Sequence, residues 1–169
     1  MRLFIALLPD EPFLEAIRKL QEEMREKGIQ GHYTPEENLH FTLAFIGEYP
    51  DPEKVSEVME SIPAEPFVLR TDRLGKYQDL YWCGIEPCPE LTEYVRRLRH
   101  ALADAGIPYD RKKFEAHMTL VRKAYTKNRE DFPEIEIPEK EMTAVKVSLM
   151  RSDRGKHEMI YTEVGGYYL

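Results

Sequence analysis

The sequence predicts an α+β fold: two mostly antiparallel sheets with outer helices, a pseudo-two-fold repeat, and a cleft between two lobes. Three observations lead there. Strand-like and helix-like periods follow one another in the order strand, helix, strand, helix, two strands, helix, strand, two strands. The helical segments are amphipathic, so each must lay an apolar stripe on another layer. A four-residue string also occurs twice, as His40-Phe41-Thr42-Leu43 and His117-Met118-Thr119-Leu120, close to half a chain length apart. With 169 residues, 42% of them hydrophobic, the chain is expected to form one domain over residues 1–169, made of two intertwined lobes.

Residues 2–8 are a continuous apolar run and read as a buried strand. Asp10-Glu11-Pro12 opens a helix, with acids and a proline in its first turn. Phe13, Ile17, Leu20 and Met24 recur at spacings of three and four, and Gly28 closes the helix. Residues 31–38 read as a polar connection, and 39–47 as the first motif strand. Tyr49-Pro50-Asp51-Pro52 is a turn before a second helix, which buries Val55, Val58, Met59 and Ile62 and ends at Pro63 and Pro66. Residues 67–72 and 80–85 are strand-like, joined by a hairpin-like link over 73–79. Cys88-Pro89-Glu90 starts a third helix with the stripe Leu91, Tyr94, Val95, Leu98 and Leu102, ended by Gly106-Ile107-Pro108. Arg96, Arg97 and Arg99 lie off that stripe and read as a solvated face. A charged loop over 109–113 leads to the second motif strand, 114–121, and residues 127–138 read as a mobile loop. Residues 142–150 alternate as one strand, with Val145, Val147 and Leu149 on one face. Asp153-Arg154-Gly155 turns it into a last strand over 156–164.

Composition narrows the function classes. The net charge is −7 and the sequence pI near 5.3, which argues against a broad basic surface that coats nucleic acid. A small positive cleft for the end of one strand stays open. Cys83 and Cys88 alone make neither a disulfide framework nor a zinc site, and read as free thiols of a reducing cytoplasm. No segment has the length and apolar purity of a membrane span. Pro9, Asp10, Glu11 and Pro12 cut the opening apolar run too short for a signal peptide. A cytoplasmic, soluble monomer is expected.

Period two puts His40 and Thr42 on one face of their strand, and Leu39, Phe41, Leu43 and Phe45 on the other. It likewise puts His117 and Thr119 opposite Phe114, Ala116, Met118 and Leu120. Each copy anchors an apolar face in a core and holds out one imidazole and one hydroxyl. Two imidazoles divide acid and base work near neutral pH, and hydroxyls donate to phosphate oxygens. A lone strand histidine is more often structural than catalytic; the repetition of the whole arrangement is what points to chemistry. Two histidines with no Cys, Asp or Glu at ligand spacing make a poor zinc site, so no metal or cofactor is expected. His32, His100 and His157 lack such a setting and read as surface residues.

The paired H-x-T-L strings resemble the two-histidine (2H) phosphoesterase superfamily, in particular its RNA 2′,3′-cyclic phosphodiesterase branch, once described as 2′–5′ RNA ligases. Arg2-Leu3-Phe4-Ile5-Ala6-Leu7 is similar to that branch's opening strand, residues 39–48 to its first motif, and residues 114–122 to its second, with Ala116 where a proline is common. The resemblance implies metal-independent hydrolysis of a 2′,3′-cyclic phosphodiester, on an RNA 3′ end or a nucleotide, to a 2′-phosphomonoester. By the same resemblance His40 is the proton donor and His117 the proton acceptor, while Thr42, Thr119 and Arg122 bind the phosphate. Strict alternation places Arg122 on the Met118 and Leu120 face, so it reaches the cleft only if the strand ends or bulges. Lys123 and Lys76 are weaker phosphate contacts, and Tyr33, Tyr77, Tyr81 and Trp82 are candidate base-stacking platforms. Two other readings remain: a 2′–5′ linkage phosphodiesterase or ligase of the same superfamily, and a non-catalytic module that binds nucleotides or RNA ends.

Overall fold

The computed structural model describes residues 1–127 and 131–169. Among them the chain forms β1 (Arg2–Leu7), α1 (Glu11–Glu26), β2 (Ile29–Tyr33), β3 (Phe41–Glu48), α2 (Pro52–Glu60) and β4 (Phe67–Tyr77). It continues through β5 (Leu80–Ile85), α3 (Pro89–Asp104), β6 (His117–Thr126), β7 (Glu141–Ala144), β8 (Lys146–Arg154) and β9 (Met159–Tyr168). Every described strand pairing is antiparallel. One sheet has the order β3-β1-β8-β9 and the other β2-β6-β5-β4-β7. The two motif strands thus belong to different sheets, and neither sheet is one half of the sequence: β2 joins the second sheet, while β8 and β9 join the first.

The helices form as their caps and stripes dictate. The Asp10 carboxylate accepts from Phe13 N at 2.9 Å and that of Asp51 from Lys54 N at 3.1 Å, satisfying amide donors left free by each first turn. Phe13, Ile17, Leu20 and Met24 of α1 are wholly buried, as are Leu91, Leu98 and Leu102 of α3. They join Leu3, Ile5, Leu7, Leu43, Leu120 and Leu149 in one core. The opposite side of the first sheet carries a smaller apolar cluster, Phe4, Ala6 and Met150, with Phe45 and Tyr161 packed against it. β1 therefore buries alternate residues on both of its faces. No helix among the described residues is long and apolar enough to cross a membrane.

Several elements differ from expectation. The polar stretch after Gly28 contains an edge strand, β2, because the backbone of β6 supplies its partners whatever the side chains. The link expected over 73–79 is mostly strand, and only Gln78-Asp79 turns. Residues 142–150 are two strands in different sheets: Met142 and Ala144 pair with Leu69 and Phe67, whereas Val147 onward pairs with β9. Val145 sits at the crossing and is 47% exposed rather than on the Val147 face. The last strand starts at Met159, and of the loop over 127–138, residues 128–130 lie outside the described residues.

Both motif strands break their alternation at the same place. Ile5 pairs with Ala44 and Ala6 with Thr42, so Leu43 is an extra residue; Tyr81 pairs with Val121 and Trp82 with Thr119, so Leu120 is too. A bulge leaves a backbone carbonyl in need of donors. Arg99 of α3 supplies two to the Leu43 carbonyl, at 3.2 Å from Nε and 3.1 Å from Nη2. Gln21 of α1 and the Thr34 amide supply them to the Leu120 carbonyl, at 3.1 and 2.9 Å. Arg99 is thus no solvated-face residue. Replacing it with alanine strips both donors from the Leu43 carbonyl and is expected to cost about 1–3 kcal/mol. Thermal unfolding of R99A should drop by about 2–4 °C per kcal/mol, and R99K, which keeps one donor, should lose less. An unchanged melting temperature in R99A would mean that the bulge does not depend on this contact.

Candidate active site

The cleft face of the first sheet carries His40 just ahead of β3. Its Nδ1–H donates to the Asn38 carbonyl at 2.7 Å, a direction fixed because a carbonyl only accepts. Nε2 is left to face Thr42 Oγ1 at 2.8 Å. Asn38 is itself buried, and its side-chain amide donates to the Met159 carbonyl at 2.9 Å, locking the segment before β3 onto β9. Phe4 and Tyr161 stack around the ring, at 4.9 and 5.4 Å between centroids.

The second copy repeats the device. His117 opens β6, and its Nδ1–H donates to the Glu115 carbonyl at 2.7 Å, again two residues upstream. Both imidazoles are therefore pinned in one tautomer, with Nε2 as the nitrogen left without a fixed proton. Trp82 meets the His117 ring edge-to-face at 6.0 Å.

The bulges decide what joins the histidines. After Leu120 the face parity of β6 flips, and Arg122 emerges beside Thr119 instead of under Met118 and Leu120. Gly31 helps to hold it there: a Cβ at Gly31, φ +149°, would lie 2.9 Å from the Arg122 carbonyl oxygen. In β3 the equivalent flip turns Phe45 out of the expected core face and onto the cleft. An inner cavity of about 110 Å³ is lined by Thr34, Asn38, His40, Thr119, Arg122 and Tyr161 among others. It shares His40, Arg122, Met159 and Tyr161 with an outer one of about 310 Å³ that also includes Thr42 and Phe45. His117 borders a separate groove of about 420 Å³ with Trp82, and its charge acts on His40. A larger groove, about 710 Å³ along β4, contains neither His40 nor His117 and neither Thr42 nor Thr119.

Of the candidate platforms, Tyr81 is buried and its phenol pushed up to about 12 by desolvation. The Tyr33 hydroxyl donates to the Ile29 carbonyl at 2.6 Å beneath Arg25, and Tyr77 is exposed at the β4–β5 turn. Only Trp82 of the four adjoins a motif histidine. Lys76 lies over the Phe132 ring at 4.4 Å, and Lys123 lines neither His40 cavity. His32 pairs with Glu158 at 2.9 Å and His100 with Asp104 at 3.4 Å. Asn38, Phe4 and Tyr161 also belong to the site, and no periodic or repeated signal in the sequence marks them. Cys83 and Cys88 are unbridged. Among the described residues no three His, Cys, Asp or Glu side chains gather as a metal-holding group.

Burial pushes the His40 imidazole below its ordinary value, because desolvation penalises the charged ring. The bond to the Asn38 carbonyl pulls it part of the way back, and the charge of His117 pushes it down again.

Residues 8–156 match the family model described as the 2′-5′ RNA ligase superfamily. A protein of Thermotoga maritima named RNA 2′,3′-cyclic phosphodiesterase is 29% identical over 154 residues, 81% of each chain. One of the same name from Methanothermobacter thermautotrophicus is 25% identical, over 97% of this chain and 96% of its own. Among solved structures, one described as a phosphoesterase superposes with TM-score 0.79 and 26% identity, covering 99% of this chain and 97% of that one. Apo LigT of Escherichia coli superposes with TM-score 0.81 at 24% identity, covering 99% and 96%, and speaks for the fold alone.

The His40 ring should titrate below the ordinary imidazole value of about 6.5 when followed by NMR. His117→Ala should raise that midpoint, since a positive neighbour is removed. A His40 midpoint at or above the ordinary value would show that desolvation does not dominate its environment.

Proposed function

The chain belongs to the 2′-5′ RNA ligase superfamily, and on that premise we propose that it hydrolyses 2′,3′-cyclic phosphodiesters of RNA ends or nucleotides to 2′-phosphomonoesters. One observation carries the reading: two imidazoles, each fixed through Nδ1 to a carbonyl two residues upstream and each accompanied by a threonine on its strand face. The relatives named RNA 2′,3′-cyclic phosphodiesterase support it.

In this mechanism the cyclic phosphate lies between Thr42, Thr119 and Arg122. Nε2 of His117 takes a proton from water, and the oxygen attacks phosphorus in line with the 3′ oxygen. The P–O3′ bond breaks, and Nε2–H of His40 protonates the departing oxygen, leaving the phosphate on the 2′ oxygen. Each proton transfer contributes about 10²–10⁴-fold. Arg122 and the threonine hydroxyls stabilise charge building on the non-bridging oxygens. The lowered pKa of His40 makes its protonated form a stronger acid, and the bound anion favours that form, since a nearby negative charge stabilises a cation.

Incubation with a nucleoside 2′,3′-cyclic phosphate, with product isomers separated, tests the reading. The expected product is the 2′-monoester, formed equally well in the presence of chelator. H40A and H117A should each lose about 10²–10⁴-fold in kcat while keeping the native circular dichroism spectrum. Binding without turnover in the wild type would leave a recognition module instead. The limb of the kcat/KM profile that reports free His40 should lie below pH 6.5 or so, and the same limb in kcat should move upward as the bound phosphate stabilises the cation.

A further inference from the structure

We infer that the cleft contains a second anion subsite, formed by Arg2 and Arg154, which takes the phosphate on the 5′ side of the reacting nucleotide. The inference rests on the proposed reaction for its direction, but its evidence is the outer cavity itself. Arg2, Arg122 and Arg154 line that cavity, and no Asp or Glu does, in a chain with 31 acids against 24 basic residues. None of the three makes an ion pair among the described residues, and neither do Arg25, Arg73, Arg97, Arg99 and Arg111; what sets these three apart is that one acid-free cavity holds them all, while Glu158 of the neighbouring inner cavity is paired with His32. The acid directly across from Arg2 is Glu48, yet its carboxylate is taken by the Met1 ammonium at 3.0 Å. The Arg2 guanidinium lies instead over the Phe45 ring, 5.0 Å from its centroid. Convergent cations without acidic partners repel one another and create a local positive potential that an anion relieves.

The three arginines are not equivalent. Arg122 lines both the inner and the outer cavity, beside His40 and Thr119. Arg2 and Arg154 line the outer cavity only. One guanidinium therefore serves the reacting phosphate and two remain beyond it. The rings of Phe4, Phe45 and Tyr161 line the same cavity, a surface suited to a ribose and base. About 310 Å³ is near the lower end of small-ligand sites, roughly 300–1,000 Å³, and suits a single nucleotide.

Direction follows from the chemistry. The 3′ oxygen leaves toward His40, so its ribose and everything 5′ to it extend on the His40 side, while water enters from the His117 side. Arg2 and Arg154 stand on the His40 side. The substrate best suited to this cleft is an RNA 3′ end or a 5′-phosphorylated nucleotide, not a bare nucleoside cyclic phosphate.

Calorimetric binding of two product analogues, cytidine 2′-monophosphate and cytidine 2′,5′-bisphosphate, tests this without requiring turnover. The bisphosphate should bind about 10-fold or more tightly at low salt, as a charge-assisted contact implies. In the R2A/R154A double variant the ratio of the two affinities should fall to near one, and in R2K/R154K it should be intermediate. R154Q alone, at an exposed position, should lower the ratio in part and guards against loss of folding in the double variant. Equal wild-type affinities, or a ratio that survives in R2A/R154A, would overturn the subsite. A preserved ratio in a wild-type protein that hydrolyses no cyclic phosphate would sink the proposed reaction and leave the subsite standing.

Discussion

The constraint on which the site depends is the extra residue at the fourth position of each H-x-T-L string. An unbroken strand would put the residue five positions after each histidine on the core face. The bulges at Leu43 and Leu120 make two successive residues buried, Leu43-Ala44 and Leu120-Val121, and return Phe45 and Arg122 to the cleft. Without the second bulge, the proposed phosphate site would lose its guanidinium and the core would gain an unpaired charge, a costly exchange in a low-dielectric interior.

Each bulge is stabilised by a helix side chain that the amphipathic pattern does not explain. Arg99 reaches the Leu43 carbonyl from α3, and Gln21 reaches the Leu120 carbonyl from α1. Each helix precedes or follows the strand it serves in sequence, yet the arrangement is the same in both copies: a buried or half-buried polar side chain satisfying the carbonyl of the inserted leucine. The carbonyls two residues before each histidine do the matching service for the imidazoles. Repetition of the fold thus reaches down to single hydrogen bonds, while the side chains delivered to the cleft differ. Phe45 contributes an apolar wall and Arg122 a cation, so a symmetric frame presents an asymmetric surface to an asymmetric substrate.

Electrostatics divides the molecule in a similar way. The chain as a whole is acidic, but the outer cleft gathers arginines whose acidic neighbours are engaged elsewhere, Glu48 by the amino terminus and Asp153 by Arg151. A local positive funnel on an acidic protein favours a single anionic end over a long polyanion held along its length. Burial of His40 among Phe4 and Tyr161 adds a second effect, because a ring that resists protonation in the free protein gains its proton most readily once an anion is beside it.

The sequence by itself determined the three helices with their buried stripes, the order of most strands, and the repetition of a His–Thr strand face at His40-Thr42 and His117-Thr119. Those features are written in local periods and in repeated residue types. It did not disclose β2, the division of residues 142–150 between two sheets, or the reversal of Phe45 and Arg122. Edge pairing depends on a partner's backbone, a crossing between sheets on where the neighbouring strands end, and a bulge on donors that arrive from elements far away in the chain. Only the tertiary structure brings those partners into place, and so only it decided that Arg122 shares a cavity with His40.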